Sequence, residues 1–472
     1  MADSEMVSKT ELHTKLSNYP STDGWDVLVS YSPDELNKQL KKYWGNNAAN
    51  TAKCTFTRKE GPAHHELDMV YDLTLGAPAL EFNTDKAIAT LIMSISGTVA
   101  VKDDPPEYAT KIDGDRCKLH IEVPLASVSG EEGATPASSD TIISFDDDKT
   151  ATQHIIFHFI NKSTTWNVKM SNPDDPALKL MKDAAENLAA YYSEKLQEID
   201  YSLAQISNEK NEHSDLLRPS KFVFGAQKGA LNVFIKTKGG VKDGRSNPRF
   251  GLDKTCPIPK NFTVSILISR DFFRDQYLAK QIQDNCPNLA KNGVEVDGSA
   301  TVDSGIALQL KFEEFGDFGL NRWGHDTKFN AQHLENNLSN TPVHLKVGKV
   351  GDDLVPKYSW SWEATNKFRL RGAMWDVWPK FTVKIPEHSR TMMTVGTDSK
   401  INVELSFKDE DQPTVTYTQE EGLYLKLSKF DIHPPPLDFF MTQNIFAPGK
   451  TLIKVSEVML PSDLVLLGKI EE

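Results

Sequence analysis

The chain is poor in the residues that would commit it to a simple class. It has four cysteines in 472 residues, Cys54, Cys117, Cys256 and Cys286, and no two are spaced as a zinc knuckle or a CxxC pair. Scattered thiols in so long a chain read as reduced residues of a cytosolic protein. No run of 18 apolar residues occurs, which argues against a membrane-spanning helix. Met1 to Pro20 has no apolar stretch of the kind a signal peptide carries, so the expected location is cytoplasmic, with non-conventional secretion left open. There is no basic surplus: 53 Lys and Arg stand against 66 Asp and Glu, a formal charge of −13. A general nucleic-acid partner is therefore not expected, because phosphate binding needs a basic footprint. Hydrophobic residues are only 39% of the chain, which favours an elongated body with much surface.

Catalytic and metal motifs are missing too. There is no GxSxG, no HExxH and no GxxxxGK[ST]. Asp146-Asp147-Asp148 lacks the spacing of an EF-hand loop and reads as a solvated turn. His154 and His158 share one strand face without a readable third ligand. No catalytic residue, metal or cofactor is assigned, and a binding protein is favoured over an enzyme.

What the chain does have is a capped strand-to-helix junction at residues 25–44. Val27 to Tyr31 has strand composition. Ser32 can cap, Pro33 fits the first helical position and Glu35 fits a capping box. Leu36, Leu40, Tyr43 and Trp44 then fall on one apolar face. The pattern recurs 237 residues later, from Val264, with identities at Val27/Val264, Ser32/Ser269, Asp34/Asp271 and Gln39/Gln276. That suggests an internal repeat. The second helix carries Phe272, Phe273, Tyr277, Leu278 and Ile282 around much of its surface and is expected to be more enclosed.

Most of the remainder alternates with period two, as half-buried antiparallel strands do. Leu119, Ile121, Val123 and Leu125 form one such set; Tyr358, Trp360 and Trp362 form another; Ile401, Val403, Leu405 and Phe407 form a third. The Trp360/Trp362 and Trp375/Trp378 pairs read as sheet core rather than aromatic platforms. Pro173 to Lys210 carries the longest helical spacing, through Met181, Ala184, Leu188, Tyr192, Leu196, Ile199, Leu203 and Ile206. It fits either a coiled-coil stripe or a long helix on a curved sheet, and the surrounding strands favour the sheet. The 236–251 loop, rich in Gly and Lys, reads as plain and exposed. Residues 1–23 read as a polar tail, 24–215 as a first module and 216–472 as a second.

Two stretches carry a family resemblance: Asp23-Gly-Trp-Asp-Val-Leu-Val-Ser-Tyr-Ser-Pro-Asp-Glu-Leu-Asn-Lys-Gln-Leu, and Asn444-Ile-Phe-Ala-Pro-Gly-Lys followed by Leu460-Pro-Ser-Asp-Leu-Val-Leu-Leu-Gly. With Ile266-Leu-Ile-Ser-Arg-Asp-Phe-Phe and the overall length, they resemble the tubular lipid-binding (TULIP) proteins among the accessory proteins of clostridial OrfX-type neurotoxin clusters. The resemblance implies an α+β fold, TULIP-like, in which long helices are wrapped by highly curved antiparallel β-sheets, in two related modules in tandem. It also implies an apolar groove for a lipid or another hydrophobic small molecule. Leu36, Leu40 and Tyr43 from one helix and Leu188, Tyr192 and Leu196 from the other would form its wall. Peripheral membrane contact or a protein partner is compatible with that reading. The alternatives are a scaffold with a closed core, whose same side chains only pack on one another, or an enzyme acting on a hydrophobic small molecule.

Overall fold

A computed structural model describes residues 6–17, 19–38, 41, 53–82 without 63, 88–129, 142–144, 153–157, 165–172, 174, 175, 177, 180, 181, 184–194, 202–206 and 215–470, the last stretch without 228, 242, 246, 247, 253, 254, 299–304, 315, 323, 324, 330–337, 372–375, 397, 398, 418–421 and 440–452. The architecture is mostly antiparallel β-sheet with few helices.

The centre is a seven-stranded sheet that draws on both ends of the sequence. Its order is Ile453–Met459, Leu464–Ile470, Val264–Ile268, Val27–Tyr31, Ala230–Thr237, Pro219–Gln227 and Ile142–Ser144. The two repeat strands lie side by side, antiparallel, with Val29 opposite Ile266. Those two residues are 237 apart, the repeat offset itself, so the register places a local two-fold axis between them. The flanking bonds obey it. Ser32 N donates to Thr263 O at 2.8 Å, and Ser269 N donates to Asp26 O at 2.8 Å. Each repeat strand is then paired on its far side by a hairpin, Pro219–Thr237 on Val27–Tyr31 and Ile453–Ile470 on Val264–Ile268.

Burial on both faces explains the composition of these strands. Val27–Tyr31 and Val264–Ile268 are buried at every position, as a strand covered on two sides requires. Val27, Val29, Tyr31, Ile266 and Ile268 join the main core. Leu28, Leu267, Phe234, Val465 and Leu467 face a second cluster on the other side.

That second cluster is closed by Lys9–Leu16, a helix within the stretch expected to be a polar tail. Leu12 and Leu16 are buried there, and Ser8 caps the helix by accepting from Glu11 N at 3.2 Å. The stretch is polar on average, but Leu12 and Leu16, four apart, are enough to seat one face.

In the first half, nine strands form an antiparallel sheet whose main path runs Ser202–Ile206, Gln153–Phe157, Cys117–Ser129, Ile88–Val101, Leu67–Leu75, Lys53–Glu60. Gly97, inside the longest strand, takes φ +141, and a Cβ there would lie 2.1 Å from Asp72 O. Only glycine lets the backbones approach so closely. The expected 173–210 helix is not continuous. The helix is Ala184–Glu194, and Ser202–Ile206 pairs with Gln153–Phe157 through a register shift between Ser202 and Ala204. A bulge adds one residue to a strand, so spacing that broke alternation and read as helical, from Leu203 to Ile206, fits a sheet edge.

In the second half the alternation holds well. Tyr358, Trp360 and Trp362 are buried; the first two lie on Asp353–Ser361, which pairs with Val343–Val350, and Trp362 follows that strand directly. Trp378 is exposed with Arg369 5.7 Å over its ring, and Trp375 lies outside the described residues. The second repeat helix is enclosed, as its composition suggested. Phe272–Leu278 is a π-helix, continued by Ala279–Asn285 as α-helix. A π-turn bonds i to i+5; here the Phe273 and Tyr277 rings stack at 5.7 Å, and Phe272, Phe273, Tyr277 and Leu278 are all buried.

Candidate functional site

Two regions merit description as sites. The first is the helix-on-sheet interior of the first half. Residues 33–38 are helical, and Leu36 is 5% exposed. The next residue ties this helix to a strand: Asn37 Nδ2 donates to Leu80 O at 3.1 Å, and Leu80 N donates to Asn37 Oδ1 at 2.8 Å. Met181, itself helical, and Ala184, Ala185 and Leu188 of Ala184–Glu194 fall at i, i+3, i+4 and i+7, and all are buried, Leu188 completely. This helix packs on Thr165–Met170 and Lys53–Glu60. Leu36 and Leu188 thus enter one continuous core. Tyr192 lies on Ala184–Glu194, but its side chain, like Leu40, Tyr43 and Leu196, is outside what the structure describes. The same holds for Asp146 to Asp148, His158 and Asn444 to Lys450.

The second region was not singled out in the sequence. Strands Leu405–Phe407 and Phe430–Ile432 pair with Phe407 opposite Phe430. An open cavity of about 640 Å³ lies over them, lined by Ser406, Phe407, Lys408, Asp409, Lys429 and Asp431 among others. The Phe407 and Phe430 rings stack at 5.7 Å and 22°, and Trp360 stands edge-on to both. Trp360 Nε1 donates to Ser406 O at 2.9 Å, which holds the indole in place. The rim is charged and mostly paired. Lys429 bonds Asp409 at 2.6 Å, and Arg390 bonds Asp411 at 2.8 Å. Arg390 also bonds Glu410 and holds its carboxyl below the usual range. An apolar floor under a mixed-charge rim suits an amphiphile. Phe407 was legible only as an alternating core position and Phe430 was not singled out, so nothing in the sequence marked an opening.

A carboxylate–imidazole pair is the nearest thing to reaction chemistry. Asp297 accepts from Gln309 Nε2 at 2.8 Å and bonds His344 Nδ1 at 2.5 Å. Ser361 stands opposite His344 in register. The three polar side chains Gln309, His344 and Ser361 lie on the solvent side of the five-stranded sheet Leu289–Val296, Ile306–Phe312, Val343–Val350, Asp353–Ser361 and Ser389–Thr391. Among the described residues no hydrogen bond joins His344 to Ser361, and no group of three or more His, Cys, Asp or Glu could hold a metal. No helix among them is long and apolar enough to cross a membrane.

No protein-family model matches the chain, and no curated protein matches it. Solved structures do. P47 from Clostridium botulinum A2 is 14% identical, with 96% of this chain and 100% of that one covered at a TM-score of 0.55. P47 of Clostridium botulinum E1 is 11% identical over 95% and 99% of the two chains, TM-score 0.49. A lipopolysaccharide binding protein aligns at 8% identity over 95% and 99%, TM-score 0.26. The likeness to the A2 protein establishes the fold: this chain has a P47-like fold over nearly its whole length.

Proposed function

We propose that a chain with this P47-like fold is a non-enzymatic binding or transfer protein for a lipid or another hydrophobic small molecule. The observation that supports this is the continuity of the apolar interior. A single core reaches from Leu36 and Leu188 in the first half to Trp360, Phe407 and Phe430 beside the open cavity in the second. Binding would be partition, worth about 0.8 kcal/mol per buried methylene, with no bond made or broken. Leu36, Leu40 and Tyr43 would form one wall for the apolar part, and Leu188, Tyr192 and Leu196 the other. In this proposal the chain comprises two related modules. The two-fold register supports a seam between Thr237 and Val264 rather than at 215/216, because the Pro219–Thr237 hairpin pairs with Val27–Tyr31.

A closed-core scaffold is the competing reading, favoured by the near-complete burial of Leu36 and Leu188. Native mass spectrometry with lipid extraction separates the two. A co-purifying lipid, lost from folded Leu40→Lys and Tyr192→Lys variants, supports the carrier. A bare mass, together with variants that fail to fold, rejects it in favour of the scaffold.

A further inference from the structure

The N-terminal helix Lys9–Leu16 covers the outer face of the central sheet, and one of its three buried residues is a histidine. His13 is 3% exposed, and its Nε2 is enclosed without a hydrogen-bond partner among the described residues. Its neighbours offer a proton no welcome. The charged group that acts on the ring is Lys349, a cation. Of the carboxylates around the helix, Glu11 pairs with Lys15, Glu457 with Lys9 and Asp353 with Lys357. Lys15 also reaches Thr255, and Lys260 N donates to Val7 O. None of these bonds the imidazole.

We propose that His13 is an acid-sensitive latch: protonating its buried ring lifts the N-terminal helix and bares the apolar face made by Leu28, Phe234, Leu267, Val465 and Leu467. Burial, then Lys349, lowers the His13 pKa from 6.5 to about 4 when the helix is seated. A released helix returns the ring to its ordinary value. The stabilisation from a neutral His13 is therefore complete above 6.5 and is lost as pH falls from 6.5 towards 4. At pH 5 the opening equilibrium should be roughly thirtyfold higher than at pH 8. Asp463, which holds the next segment through Ser21 N at 2.8 Å, acts in the opposite direction. Its burial raises its carboxyl pKa, so acid favours the seated form at that contact. The released helix would thus remain tethered.

The test is hydrogen–deuterium exchange on the full chain at pH 8 and pH 5, corrected for intrinsic rates. Amides of residues 9–16 should open roughly thirtyfold more at pH 5, while Val27–Tyr31 and Val264–Ile268 stay protected. His13→Gln should remove the rise. A pH-independent helix in the wild type, or an equal rise in His13→Gln, overturns the proposal. The His13 ring resonance gives a second measurement on unmodified protein, which stands even where the variant does not fold. Its titration in step with helix opening supports the latch. Titration near 6.5 with the helix still protected overturns it.

Discussion

At residue scale the first repeat strand is set by what precedes it. Asp26 accepts from Thr237 N at 2.8 Å and Thr237 Oγ1 at 3.2 Å, and Trp25 Nε1 donates to Arg245 O at 3.0 Å. The loop expected to be plain and exposed is therefore fitted closely to two buried side chains. A Cβ at Gly240 would lie 1.8 Å from Asp26 Oδ2, and one at Gly244 would lie 2.1 Å from Trp25 Cδ1. Gly244→Ala should cost roughly 1–3 kcal/mol by overpacking, read as a shift in urea midpoint. Gly298→Ala, with nothing within 4 Å of its Cβ, should leave the midpoint nearly unchanged. The thiols supply a second expectation. None of the four cysteines forms a disulfide and all are buried, and burial pushes Cys117 up to about 11 and Cys286 up to about 12. Native protein at pH 8 should react slowly with a thiol reagent, because the thiolate is the reactive form. Denatured protein should yield four thiols; rapid native labelling would contradict this.

At the scale of elements, the sequence exposed strands better than helices, for a physical reason. Alternation needs only a wet face and a dry one, so Tyr358, Trp360 and Trp362 were readable as they stand. Helical spacing is less decisive. The steps from Leu196 through Ile206 matched a helix, yet Ser202–Ile206 is a sheet edge because Gln153–Phe157 offers it a partner. The reverse happened at the N-terminus, where polar composition hid a helix whose Ser8-x-x-Glu11 spacing was available as a signal. Of the six residues expected to wall a groove, the structure describes the side chains of two. Leu36 and Leu188 point inward as their periodicity required, but periodicity cannot separate a wall from a core. Asp463 is the contact that fixes the segments together. Its carboxylate accepts from Ser21 N and Ser21 Oγ, and its other oxygen accepts from Arg270 N at 2.8 Å. Asp463→Ala would strand three donors, two of them backbone. It should cost about 3 kcal/mol or more and lower the melting temperature, whereas Asp431→Ala, at an exposed position, should do little.

For the whole molecule, a central sheet shared by both halves means that neither half has a finished edge. Val27–Tyr31 without Val264–Ile268 would show a row of unpaired N–H and C=O groups along an apolar strand, a template for association. Residues 1–250 and 251–472 made separately should therefore be poorly soluble, and made together should co-purify, as a tagged pull-down would reveal; two soluble monomeric halves would contradict the pairing. The register at Val29 and Ile266 has a further meaning. When two identical subunits meet across a two-fold axis, residues beside the axis face their own copies. Here the facing residues occupy equivalent places in two similar segments of one chain. The pairing of these two strands within one chain therefore has the local geometry of an isologous contact. The first half alone should then find itself: sedimentation of the 1–250 fragment, where it stays in solution, should show a self-paired dimer.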